Sequence, residues 1–128
     1  RDVAPSRGLG DVYKRQAQMK NHRHLPAFIL LDLVQHENHG SAICHNLVRD
    51  LPNFQCDTAA VYRALSRLER EGAVVYHWDT TQSGPARKVY LITDKGYEQL
   101  VEWKKDVESR IKKLNHFLTV YKKLRINE

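Results

Sequence analysis

Residues 57–80 read DTAAVYRALSRLEREGAVVYHWDT, and a change of period inside this stretch decides the fold. In its first half Val61, Leu65 and Leu68 fall at i, i+4 and i+7, the apolar stripe of a helix. Asp57 or Thr58 suits the N-cap, and Gly72 suits the position just past the C-terminus, where a left-handed backbone is needed. Beyond Gly72 the period drops to two. Val74, Tyr76 and Trp78 alternate with their neighbours, as in a strand with one covered face. Tyr76 and Trp78 are therefore expected to pack on the core. The helix face opposite its apolar stripe carries Thr58, Ala59, Tyr62, Arg63, Ser66, Arg67 and Arg70. Small residues at its N-terminal end let a partner's backbone approach, and three guanidiniums and an aromatic follow.

Downstream, Thr81 to Pro85 is turn chemistry, and the run KVYLI at 88–92 is a second strand. The expected hairpin has about seven residues per arm. Gly84 and Pro85 form a sharp turn, so that Arg87 and Lys88 project as cations near the tip. From Thr93 the chain turns helical, with Thr93 or Asp94 as cap, and no glycine or proline follows Gly96. A helix of about 30 residues is about 45 Å long. Val107, Ile111, Leu114, Leu118 and Tyr121 step by four, three, four and three, a heptad seam. A body of three short helices is too small to cover such a rod, so the seam is expected to meet the same seam on a second copy. Trp103 lies off that seam, on the inner part of the helix. Two roles are open to it: lining an interface pocket for an aromatic ligand, or covering the first helix.

Upstream, LPAFILLDLVQHE at 25–37 is helical, with Pro26 in its first turn. Phe28, Ile29, Leu30, Leu31, Leu33 and Val34 make too broad a face for one stripe, so cover on more than one side is expected. His39-Gly40 ends it, and Ser41 is the expected cap of a second helix reaching Leu51, stopped by Pro52. Within it Ile43, Leu47 and Leu51 repeat every four residues, with Cys44 as a small core residue and Val48 beside it. The first 18 residues, RDVAPSRGLGDVYKRQAQ, show no apolar period and resemble translated sequencing-adapter sequence. They are expected to be a non-native or disordered leader, with the native chain starting at Met19.

The net charge of +6 and a pI near 9.4 favour anionic partners, nucleic acid first among them. Local charge is not decisive, because residues 57–90 carry five cations against four anions. What matters is the face that holds the cations. No apolar run approaches the roughly 20 residues of a membrane helix. Cys44 and Cys56 form no metal or redox spacing, and a reducing cytosolic compartment is expected. Histidine pairs at 22 and 24 and at 36 and 39 lack a completing ligand set, so no metal or other cofactor is expected. Cys44 with a histidine is the one conceivable nucleophile pair. It lies on the apolar side of a short helix without carboxylates or a glycine-rich loop nearby, and no enzymatic activity is expected.

Helix, helix, helix and hairpin is the order of a winged helix-turn-helix. The expected fold is mostly α with a small β-hairpin: a DNA-binding domain over 19–93 and a long C-terminal dimerisation helix over 94–128. The third helix fits the width of the major groove of double-stranded DNA, and the hairpin cations reach neighbouring phosphates. The segments HGSAI (39–43), VYRALSRLEREGAV (61–74), HWDT (77–80) and GPARKVYLITDKG (84–96) resemble the PadR family of bacterial transcriptional regulators. FLTVY (117–121) is similar to a subgroup that includes poly-β-hydroxybutyrate-responsive repressors. The resemblance implies a homodimeric repressor released by a small aromatic or planar effector, with Tyr62 as the recognition-helix tyrosine and Arg87 and Lys88 as wing cations. It also exposes a departure. Family members often open this helix with Ser-Pro-Gly-Thr, where this chain has Asp57-Thr58-Ala59-Ala60, so Thr58 is left to make the contact of the missing threonine. The competing expectation is a winged helix used only for protein contacts, whose affinity for DNA would show no salt dependence.

Overall fold

The computed structural model describes residues 23–55, 57–81 and 83–124. The expectations for the leader, Met19, His22 and Cys56 lie outside them. In chain order the elements are α1 (Leu25–Gln35), β1 (Asn38–His39), α2 (Gly40–Asp50), α3 (Thr58–Arg70), β2 (Val74–Asp79), β3 (Arg87–Ile92) and α4 (Asp94–Leu124). This is a mostly helical winged helix with a small antiparallel sheet and a long C-terminal helix. The sheet has three strands rather than the two of a hairpin, in the order β1-β3-β2. Asn38 and His39 pair with Tyr90 and Val89, and β2 pairs with β3 from Val74↔Ile92 out to Asp79↔Arg87. The hairpin arms are six residues each, one shorter than expected.

The core forms where the apolar stripes of α1, α2 and α3 meet the sheet. Ile29, Leu30, Ile43, Val61, Leu65, Leu68 and Val74 are fully buried, and Cys44 lies among them at the edge. The breadth of α1 is only partly used: Leu31 and Val34 face solvent, as Val48 does on α2. One carboxylate is buried with the apolar groups. Asp32 of α1 accepts from Asn46 of α2 at 3.2 Å and from Asn38 at 3.5 Å. Its desolvation is offset by these two amides, and the Asn46 bond ties α1 to α2.

Local chemistry explains the element ends. Asp57 caps α3, its Oδ1 accepting from the Ala60 amide at 2.8 Å. At the other end Gly72 has φ of +78°, its N–H donates to the Glu69 carbonyl, and the Ala73 N–H donates to Leu68 at 2.8 Å. This double bond pattern is a Schellman ending, and the buried pair Ala73 and Leu68 supplies its apolar contact. The cap of α2 is His39 and not Ser41: the chain enters the helix at Gly40, and His39 Nδ1 accepts from the Ala42 amide at 3.3 Å. Thr93 caps α4. Its Oγ1 accepts from the Gly96 amide at 3.1 Å and donates to the Gly72 carbonyl at 2.6 Å.

The last helix runs unbroken for 31 residues. Its first turns pack on α1, where Leu100 and Trp103 join the core. Past Arg110 it leaves the body. Ile111, Leu114, Phe117, Leu118, Val120 and Leu124 are all exposed, Leu114 by 64% of its surface. No helix of the described residues is long and apolar enough to cross a membrane.

Candidate nucleic-acid interface

Helix α3 is amphipathic in the sense its sequence predicts. Val61, Leu65 and Leu68 are buried to 1% exposure or less, while Thr58, Ala59, Tyr62, Arg63, Ser66, Arg67 and Arg70 are all exposed. Arg67 does not stand alone. Its Nε donates to Glu71 one turn on at 3.1 Å, and the other oxygen of Glu71 accepts from Gln99 of α4 at 3.1 Å. This exposed pair contributes little to stability, so Arg67 can exchange its partner at small cost. Tyr62 is 40% exposed, with its ring lying over Gly40 at the start of α2. A Cβ on residue 40 would stand 2.5 Å from the ring, so glycine is required there for Tyr62 to adopt this place.

The strands divide the two wing cations. Successive side chains on a strand point to opposite faces, and the register places Lys88 opposite Trp78 and Arg87 opposite Asp79. The Lys88 face continues the core. Val74 and Tyr90 are buried on it, but Trp78, further out, is 56% exposed, contrary to the expected core packing. The sheet extends beyond the body there, and only neighbours on the sheet remain to cover the indole. Trp78 packs edge-on against Tyr76, and Lys88 Nζ lies 4.2 Å above the Tyr76 ring and 5.7 Å from that of Trp78. Lys88 is thus drawn onto an aromatic platform and does not project from the tip. Arg87 is exposed on the other face, its Nη1 3.3 Å from His39 Nε2. Gly84, at φ +102°, supplies the sharp turn beyond them.

Beside Arg87, on the same face, His77 Nε2 stands 2.8 Å from Glu37. That hydrogen bond is the main reason the imidazole pKa is raised above 6.5, with Asp79 adding a smaller pull. Asp79 in turn is held below the usual carboxylate range by the Thr81 hydroxyl and amide, at 2.7 and 3.0 Å. Since the folded-state pKa of His77 lies above its unfolded value, its stabilisation is complete below about pH 6.5 and is lost as pH rises through the raised value. The unfolding midpoint should therefore fall between pH 6 and pH 8, and Glu37→Gln should flatten that slope; equal slopes in both proteins would show the pair to be inert.

Trp103 is half-buried, packed against the core and edge-on to His24 at 5.6 Å between ring centroids. His24 also meets Asp106 at 3.3 Å, which binds Arg110 at 3.0 Å. The indole therefore covers the start of α1, and a shallow hollow of about 240 Å³ lies beside it between Gln99 and Glu102. Missed at the level of sequence were the contact of His39 with Arg87 and the support of Tyr62 by Gly40. The HGSAI segment held both residues, but no periodicity links them to partners 48 and 22 positions away.

The family described as the transcriptional regulator PadR-like family matches residues 29–102. Solved structures with this fold include a PadR-like transcriptional regulator from Bacillus cereus, 31% identical, with a TM-score of 0.66 over 79% of this chain and 96% of that one. A PadR family transcription regulator from Clostridium difficile is 23% identical, with a TM-score of 0.65 over 74% of this chain and 98% of that one. Another, from Eggerthella lenta, is 21% identical, with a TM-score of 0.67 over 87% and 96%. No curated protein matches the chain.

Proposed function

Because the chain belongs to the PadR-like family of transcriptional regulators, we propose that it binds double-stranded DNA as a homodimer and represses transcription from a pseudo-palindromic operator in the cytoplasm. The observation that carries this is the outer face of α3, where Thr58, Ala59, Tyr62, Arg63, Ser66 and Arg67 are all exposed. That face enters the major groove. Arg63 and Arg67 reach base edges, Thr58 and Ala59 lie where the backbone comes close, and the wing contributes Arg87 and, on leaving its aromatic platform, Lys88 to flanking phosphates. Residues 19–93 form the DNA-binding unit and 94–128 the pairing helix, whose seam of Val107, Ile111, Leu114, Leu118 and Tyr121 sets two copies of α3 about 34 Å apart, one turn of the duplex.

An effector that releases the operator would be small and planar, stacking at Trp103 where the partner's helix closes the shallow hollow. Membership of the subgroup that includes poly-β-hydroxybutyrate-responsive repressors rests on residues 117–121 alone, beyond the matched 29–102.

Selection of bound genomic fragments by the purified protein, followed by binding isotherms at several salt concentrations, tests the proposal. Affinity should fall steeply with salt, because phosphates are neutralised and counterions released. Arg87→Ala with Lys88→Ala should weaken binding to every sequence and flatten the slope. Arg63→Ala or Arg67→Ala should relax base preference by about 1–3 kcal/mol. Unchanged binding in all of these variants would remove this surface from consideration and favour a protein-contact role.

A further inference from the structure

His39 is placed in a conflict that its protein neighbours do not resolve. A neutral imidazole has a single lone pair, and a protonated one has none. Yet two N–H donors aim at its two nitrogens: the Ala42 amide at Nδ1, 3.3 Å away, with the Ser41 hydroxyl further off at 3.5 Å, and Arg87 Nη1 at Nε2, also 3.3 Å away. The amide is fixed by the first turn of α2, whose cap His39 is. With Nδ1 held as the acceptor of the cap, Nε2 carries the proton and an N–H faces a guanidinium N–H; the other tautomer would give up the cap for a 3.5 Å bond from Nδ1–H to Ser41 Oγ. The carboxylates on this sheet face are already engaged, Glu37 by His77 and Asp79 by Thr81. Both donors are open to solvent, and one acceptor placed between them would replace water at both.

Resting on the DNA-binding role proposed above, we infer that His39 Nε2–H and the Arg87 guanidinium jointly hold one phosphodiester group of the DNA backbone. The location fits a phosphate at the edge of the groove, because the next residue, Gly40, carries the ring of Tyr62 on the exposed face of α3. The phosphate oxygen accepts from the imidazole Nε2–H and from the guanidinium, while Nδ1 keeps its cap on the Ala42 amide. His39 is thereby a positioning residue for the wing. It fixes where Arg87 meets the backbone while α2 holds it in place.

The two separate jobs of the ring, cap at Nδ1 and donor at Nε2, give the test its signature. His39→Asn keeps an acceptor for the Ala42 amide, as asparagine caps helices well, but is too short to reach the phosphate. His39→Asp caps equally well and places a negative charge there. In the full-length protein both variants should keep the wild-type unfolding midpoint. Affinity for all DNA sequences should fall about tenfold with Asn and further with Asp. The slope of log affinity against log salt should not change with Asn, while Arg87→Ala should reduce it by about 0.9 for each phosphate lost. Wild-type affinity in His39→Asn, alongside a wild-type protein that binds DNA, overturns this inference and leaves the function standing. A slope that falls with Asn as it does with Arg87→Ala overturns the hydrogen-bond-donor role inferred for Nε2–H. A wild-type protein without salt-dependent DNA binding removes both the function and the phosphate site. If Asn lowers the midpoint, Asp decides: a stable Asp variant with undiminished affinity overturns the site.

Discussion

Ile111→Asp combined with Leu114→Asp is expected to leave a monomer in sedimentation experiments and to lower DNA affinity about 100-fold or more. Both side chains are more than half exposed on the part of α4 that has left the body, as are Phe117, Leu118 and Leu124. A stripe of this size uncovered in water is unfavourable at roughly 25 cal/mol for each Å² of apolar surface, and pairing with its own copy removes that cost. Aspartates at the seam would meet like charges across the axis and bury them without partners. The affinity loss follows from arithmetic rather than from any contact to DNA. Once one half of a dimer is bound, the second half binds at the effective concentration set by the linkage, a gain of about 10² to 10⁴ that a monomer forfeits. Stability of the winged body should hardly change, since these residues touch none of its core. A dimer that survives both substitutions would refute the seam.

The second large effect is expected at Gly96, in the first turn of α4. A Cβ there would lie 2.3 Å from the Ala73 carbonyl oxygen and 2.5 Å from Ile92 Cγ1. The side chain of Ile92 can turn aside, but the Ala73 oxygen cannot. That carbonyl accepts from the Thr93 amide at 3.0 Å, and Ala73 itself closes the Schellman ending of α3. Gly96→Ala should therefore destabilise by about 3 kcal/mol, the upper range for overpacking. For a body of this size the unfolding midpoint would drop by about 12–20 °C. An unchanged midpoint in calorimetry would mean that α4 does not approach the base of the wing this closely.

Much of this fold was legible in the sequence because its elements announce themselves by period. The stripe Val61, Leu65, Leu68 and the glycine after it located α3 and its exposed face, and uninterrupted heptads located α4. What escaped notice depends on pairing across the chain. A strand of two residues, Asn38 and His39, cannot show a period of two, and it exists only because Val89 and Tyr90 offer an open edge. The alternation of Val74, Tyr76 and Trp78 gave the face of Trp78 correctly but not its cover, since alternation says nothing about how far a sheet outruns the body beneath it. The cap of α2 went to His39 because Gly40 enters the helix first, and an imidazole is not among the usual capping side chains. Of the candidate interface, the α3 face was legible from residue types alone. The platform under Lys88 and the Arg87–His39 contact follow from strand register, which nothing in either strand states by itself.

Thr93 has a mechanical meaning beyond capping. Its hydroxyl joins the start of α4 to the Gly72 carbonyl at the end of α3, while Gly96 presses against Ala73. These contacts tie the end of α3 directly to the start of the rod that leaves the body. In the proposed dimer, a change in how two rods cross, made tens of ångströms away, would then re-space the two copies of α3 without any rearrangement within either winged body.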